Sequence, residues 1–192
     1  MEAPIIRFSW TRLQEFVKFW SALYWDSREE LYFDNIGRAL TPERVENLYH
    51  WKCGDRFWER QRRDVERNVI GRLGDLRRLG RDCPPMGFLR RFETVGRIWS
   101  IFLLHIWQHE EYPIYDRHTH RAMRFIQERR IEEIPQNLRE TTRTYIDHYL
   151  PFFSEFPRMP DRKVDKALFA FGRFLKSPPG QRAVMVHGGQ RP

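Results

Sequence analysis

The side chains with chemistry to offer concentrate between Phe92 and Met123. The stretch opens Phe-Glu-Thr-Val-Gly-Arg, runs through an apolar segment, and ends Tyr-Pro-Ile-Tyr-Asp-Arg-His-Thr-His-Arg-Ala-Met. A turn at Gly96 that starts a buried helix leaves free backbone amides at the helix N-terminus, and such amides bind phosphate. Asp116, 20 positions later, is placed to cap the next helix, and a carboxylate at a cleft edge stabilises a cation or activates water. The two helix N-termini are expected to border one cleft. A second ligand set overlaps the first: His105 and His109 stand one helical turn apart, with Asp116, His118 and His120 just beyond. Imidazole and carboxylate groups in that number suit zinc or another divalent ion. Ile106 stands where a His-Glu-x-x-His metalloprotease carries its glutamate. The default for such histidines is a hydrogen bond or solvent, so no metal site is assigned.

Positioning these groups takes helices. β-branched alternation is scarce and helical spacing common, so the reading is all-α. From about Trp10 to Trp25, Leu13, Phe16, Val17, Trp20 and Tyr24 form one apolar face. Thr41 and Pro42 read as N-cap and first helical residue of a helix through Val45, Leu48 and Tyr49 that Gly54 stops. A long polar helix is expected next, within a segment from Asp55 to Arg97 that carries 12 Arg against 7 Asp and Glu. Its arginines are either a solvated face with i, i+4 pairs or a phosphate-facing surface. Asp82 to Gly87, with adjacent prolines, reads as a loop, followed by a short helix around Phe88 to Phe92. Gly96 to His109 is apolar all round and reads as a central buried helix. Tyr112 to Tyr115 is an extended link, after which Asp116 opens a helix burying Thr119, Ala122, Met123 and Ile126. Further helices fit Asn137 to Phe153 and Arg162 to Lys176, the latter with Val164, Ala167, Leu168, Phe171 and Leu175 on one face. Residues 1–176 read as one all-α unit, open to division into two lobes with a cleft near 92–123, and 177–192 as a flexible tail.

The chain of 192 residues is 41% hydrophobic and 15% aromatic, which supports a core and excludes wholesale disorder. No window approaches a membrane span and the start lacks a signal-peptide pattern, so a soluble, cytoplasmic protein is expected. The formal charge of +8 favours an anionic partner. Lysine occurs only at 18, 52, 163, 166 and 176, so 29 of the 34 cations are arginine, a residue suited to phosphate forks and base stacking. GC-rich codon usage explains the same bias without a ligand. Cys53 and Cys83 cannot make an all-cysteine zinc site or a four-cysteine iron-sulfur cluster, and no cofactor is expected.

Val95-Gly96-Arg97 followed by Asp116-x-His118-x-x-Arg121 resembles the helix-hairpin-helix base-excision DNA glycosylase superfamily. Its hairpin, Leu-Pro-Gly-Val-Gly, precedes a Val-Asp-x-His-x-x-Arg segment that holds the catalytic aspartate. The resemblance implies a two-lobed helical bundle that binds double-stranded DNA, flips a damaged or modified base and hydrolyses its N-glycosidic bond with Asp116. By the same resemblance, Val95, Gly96, Arg97, Arg90, Arg91, His118 and Arg121 face DNA, and Trp99, Tyr112 and Tyr115 are candidates for the base pocket. Glu93 and Thr94 stand where the family has Pro and Gly, and Ile98 stands where bifunctional members carry their Schiff-base lysine. That last difference implies a monofunctional enzyme. Three other readings stay open: Asp116 as an N-cap alone, a non-catalytic nucleic-acid-binding module or complex subunit on the same scaffold, and a metal-dependent enzyme using His105, His109, Asp116 and His118.

Overall fold

The structure is a computed structural model that describes residues 13–182 of the chain. It is all-helical, with no strand among the described residues. In chain order the helices are α1 (Leu13–Ala22), α2 (Glu29–Phe33), α3 (Pro42–Cys53), α4 (Glu59–Asn68), α5 (Leu73–Arg78), α6 (Pro85–Arg91), α7 (Arg97–Trp107), α8 (Arg117–Glu128), α9 (Leu138–Arg143), α10 (Leu150–Ser154) and α11 (Lys163–Leu175). No helix among the described residues is long and apolar enough to cross a membrane.

The chain divides into two compact units. A central unit spans Trp25–Ile114 and Pro135–Asp147; among the described residues a terminal unit takes 13–24, Tyr115–Ile134 and 148–182. In the central unit α7 is the core helix, with every residue from Ser100 to Ile106 buried, as its all-round apolarity predicts. Around it α3 supplies Val45, Leu48 and Tyr49, and α6 supplies Phe88 and Leu89, all at most 2% exposed. Tyr49 meets Phe102 edge-on at 5.3 Å and Phe88 stacks on Trp107 at 4.9 Å. In the terminal unit α1, α8 and α11 pack together. Phe16 and Trp20 of α1 close on Phe171 of α11 at 5.3 and 4.9 Å. Gly172 makes the α8–α11 approach possible, because a Cβ there would strike the backbone carbonyl of His118.

Local signals set several ends. Thr41 caps α3 by accepting from the Arg44 amide at 3.3 Å, and Gly54, at φ 61°, ends that helix. Elsewhere the structure corrects the sequence reading. The long polar helix is broken: α4 stops at Asn68, a 3-10 turn occupies Ile70–Arg72, and α5 follows. Val65, Val69, Leu73 and Leu76, on either side of the turn, are all buried. The Asp82–Gly87 loop is shorter than expected, because α6 begins at Pro85, where the missing N–H costs nothing. The helix expected over Asn137–Phe153 widens into a π-helix at Thr144–Tyr149 before α10. Pro151 falls in the first turn of α10, where its missing N–H is tolerated. In α8 the buried position is Phe125, with Ile126 only half-buried. Of the expected tail, residues 178–182 form a helical turn tied to Ser177; from 183 on it lies outside the described residues, as does Trp10.

Candidate nucleic-acid interface

The turn before α7 belongs to the central unit. Phe92 ends α6, Glu93–Val95 form a 3-10 turn, and Gly96 enters α7 at φ 102°, ψ 157°. That backbone region is open essentially to glycine alone. A Cβ at Gly96 would meet nothing within 4 Å, so glycine is needed for conformation rather than for room. The positive φ falls on Gly96, and Thr94 sits within the 3-10 turn. No side chain caps α7, which leaves the donors of its first turn to water or a ligand. Gly96 is exposed and Val95 buried beneath it.

The arginines around this turn divide by partner. Asp75 gathers Arg72 at 3.3 Å, Arg78 at 2.6 Å and Arg91 at 3.9 Å. Hydrogen bonds from Arg78 and then Arg72 hold its carboxyl below the usual range. Arg72 also donates to the Arg91 carbonyl at 2.9 Å and lies over the Phe92 ring at 4.6 Å. Arg77 donates to the Leu40 carbonyl and Arg97 to that of Pro135. Arg90 is exposed and makes no ion pair among the described residues. The arginine run is therefore much less free than its composition suggests.

Asp116 lies in the terminal unit, as the N-cap of α8. Its Oδ1 accepts from the amides of His118 at 2.8 Å and Thr119 at 3.1 Å, while its own amide donates to Thr119 Oγ1 at 2.9 Å. This reciprocal capping box holds the carboxylate in one orientation. The His118 ring packs on Phe169 at 4.7 Å and is flanked by Arg117 and Arg121. Arg121 is only 2% exposed. Its Nη2 donates to both Glu133 oxygens at 2.9 and 3.1 Å, and its Nη1 to the Gly172 carbonyl at 2.9 Å. In this conformation its fork ties α8 to the following segment and to α11, and offers nothing to a phosphate.

The aromatic candidates fall on different footings. Trp99 is half-buried against Tyr49 at 5.4 Å, and its carbonyl accepts from the Tyr49 hydroxyl. Tyr112 is half-buried in the central unit, and burial pushes its hydroxyl pKa up. Tyr115 is fully buried, with its hydroxyl 2.8 Å from His120 Nδ1. It serves the interior of the terminal unit.

The histidines do not converge on a metal site. No group of three or more His, Cys, Asp or Glu among the described residues could hold an ion. His105 Nδ1 sits 2.6 Å from the Tyr112 carbonyl, which can only accept, so Nδ1 donates; Nε2 is then the acceptor for the Tyr32 hydroxyl at 2.8 Å. Both ring nitrogens are committed. His120 is 2% exposed, and burial, reinforced by the nearby Arg124, pushes its pKa down to about 4.

Several residues of consequence carried no motif. Glu133 has no signal in the sequence, whereas Gly172, a glycine inside an apolar helix, carries one: such a residue usually marks a close approach. A pocket formed by α6 and α9 depends on two segments far apart in the chain. No family model matches the chain, and comparison with curated proteins and with solved structures gives no match.

Proposed function

We propose that this is a DNA-binding protein of the helix-hairpin-helix glycosylase type, with two helical lobes and a monofunctional base-releasing activity. The observation that carries the reading is the Gly96 turn, an exposed positive-φ glycine opening an uncapped helix, in company with the Asp116-x-His118-x-x-Arg121 segment. The first-turn amides of α7 and Arg90 would take backbone phosphate. A flipped base would then lose its bond to C1′ as Asp116 stabilises the positive charge on the sugar or orients the attacking water. Water oxygen bonds to C1′, and the departing base carries the glycosidic electron pair and is protonated.

A second reading, a non-catalytic duplex-binding subunit, is favoured by two particulars. Arg121 is engaged internally by Glu133, and Glu93 places a carboxylate in the turn that would face phosphate. One experiment separates the readings: incubate the protein with duplexes carrying a panel of damaged or modified bases, and follow base release with wild type and Asp116→Asn. Asparagine caps a helix as well as aspartate does, so the fold is retained. The catalytic reading expects a loss of about 100-fold or more in rate with binding nearly intact. Duplex binding without base release from any substrate favours the subunit. Equal activity of the mutant makes Asp116 a cap only.

A further inference from the structure

The central unit contains a pocket of about 450 Å³ of which the reading above draws only on Arg90 and Glu93. One wall comes from α6 and the turn after it, through Met86, Leu89, Arg90 and Glu93, which are spaced to share one helical face. The other comes from α9, through Leu138, Arg139, Thr142 and Arg143. Three arginines line the two walls, Arg90 on one and Arg139 and Arg143 on the other. Arg90, Arg139 and Arg143 are all exposed and make no ion pair or hydrogen bond with another described residue. They differ in this from Arg72, Arg78 and Arg91, which share the carboxylate of Asp75.

The lining chemistry selects an occupant. Three arginines against the single carboxylate of Glu93 leave a surplus of two positive charges. That complements a phosphate monoester, which carries about −1.5 to −2 at neutral pH, better than a diester linkage with a single charge. Guanidinium forks match phosphate oxygens in pairs, and the Thr142 hydroxyl adds a further donor. Met86 and Leu138, half-buried above the buried Leu89, form an apolar surface that a bare phosphate would leave uncovered and a flat ring would cover. The volume falls in the range of small-molecule sites.

We propose that this pocket binds a nucleoside 5′-monophosphate, with the phosphate on Arg90, Arg139 and Arg143 and the base against Met86, Leu89 and Leu138. The same chemistry is offered by a free mononucleotide and by the 5′-phosphorylated end of a DNA strand. The proposal does not rest on the glycosylase reading, because neither Asp116 nor the first-turn amides of α7 take part, although Arg90 and Glu93 figure in both.

The test is calorimetric titration of the full chain with deoxyadenosine 5′-monophosphate, inorganic phosphate and deoxyadenosine. The mononucleotide should bind at least tenfold more tightly than either part alone. The Arg139→Ala/Arg143→Ala double variant should weaken it at least tenfold with an unchanged melting temperature. Arg90→Ala, on the opposite wall, should act in the same direction and provides a second measurement if the double variant folds poorly. Asp116→Asn should bind the mononucleotide as wild type does, which separates failure here from failure of the glycosylase reading. A short single strand with a 5′-phosphate, compared with its 5′-hydroxyl twin, assigns the source: a variant-sensitive preference for the phosphate identifies the strand end, and equal weak binding of both identifies the free nucleotide. Absence of saturable mononucleotide binding overturns the proposal. So does binding that survives all the arginine substitutions, or inorganic phosphate binding as tightly as the nucleotide.

Discussion

Removing the carboxylate of Glu133 should destabilise the protein more than removing Arg121 itself. Arg121 is 2% exposed, while the Glu133 side chain is 51% exposed and also receives Lys176 at 3.0 Å. Fully buried pairs lose about 3–5 kcal/mol when one partner is deleted, because the other is left charged and dry. Exposed pairs lose about 0.2–1 kcal/mol. Here the cation is dry and the anion half wet, so Glu133→Ala should cost about 2 kcal/mol, between those limits. Arg121→Met removes the buried charge along with the pair and keeps most of the volume, so its cost should be smaller, about 1 kcal/mol, mainly the lost bond to the Gly172 carbonyl. Once Arg121 is gone, removing Glu133 should cost almost nothing more. Urea unfolding of the four proteins in the double-mutant cycle measures this coupling. Additive effects, or a Glu133→Ala protein within 0.5 kcal/mol of wild type, would refute the assignment of Arg121 to the scaffold. A DNA readout cross-checks it. Arg121→Met should leave the salt dependence of duplex binding unchanged, whereas Arg90→Ala should flatten it by about one unit of slope.

The buried His120 gives a pH signature. Its folded pKa of about 4 lies below the ordinary 6.5, so the unfolded chain binds the proton more readily. The contribution, at most about 3 kcal/mol, is fully present above pH 6.5 and is lost as pH falls toward 4. Thermal melts of wild type and His120→Asn between pH 7 and 4.5 should show that slope in wild type only, and parallel curves would remove His120 as its source. Two glycine substitutions should destabilise for different reasons: Gly96→Ala by about 1–3 kcal/mol from backbone strain alone, and Gly172→Ala by about 2–3 kcal/mol because α11 must back away from α8. Amide exchange distinguishes them, since only Gly172→Ala should lower protection across both α8 and α11; local effects from both would contradict the packing argument. On the glycosylase reading, Ile98 supplies no amine, so borohydride added during turnover should trap no protein–DNA adduct. A robust adduct lost on mutating Lys163 or Lys166 would replace the monofunctional assignment.

What could be read from the sequence is what neighbours within about one helical turn decide. Thr41 before Pro42, Gly54 after α3, the continuous apolarity of α7 and the cap at Asp116 all act through bonds spanning at most four residues, and the structure has each where the spacing puts it. The apolar faces of α1 and α11 were legible for the same reason, since helical periodicity alone determines which side chains share a side. The fate of the charged residues was not legible, because it depends on which distant segment comes alongside. Arg121 looks like a surface cation of a motif until Glu133 and the Gly172 carbonyl close over it. Arg72, Arg78 and Arg91 look like a free basic run until Asp75 collects them. Arg139 and Arg143, which carry no motif, join Arg90 in lining one pocket only because α6 and α9 both pack on α7. Local sequence determines where a helix starts and which face is apolar. Tertiary packing decides which charges are neutralised and which remain available to a ligand, because the partner that cancels a charge can come from anywhere in the chain.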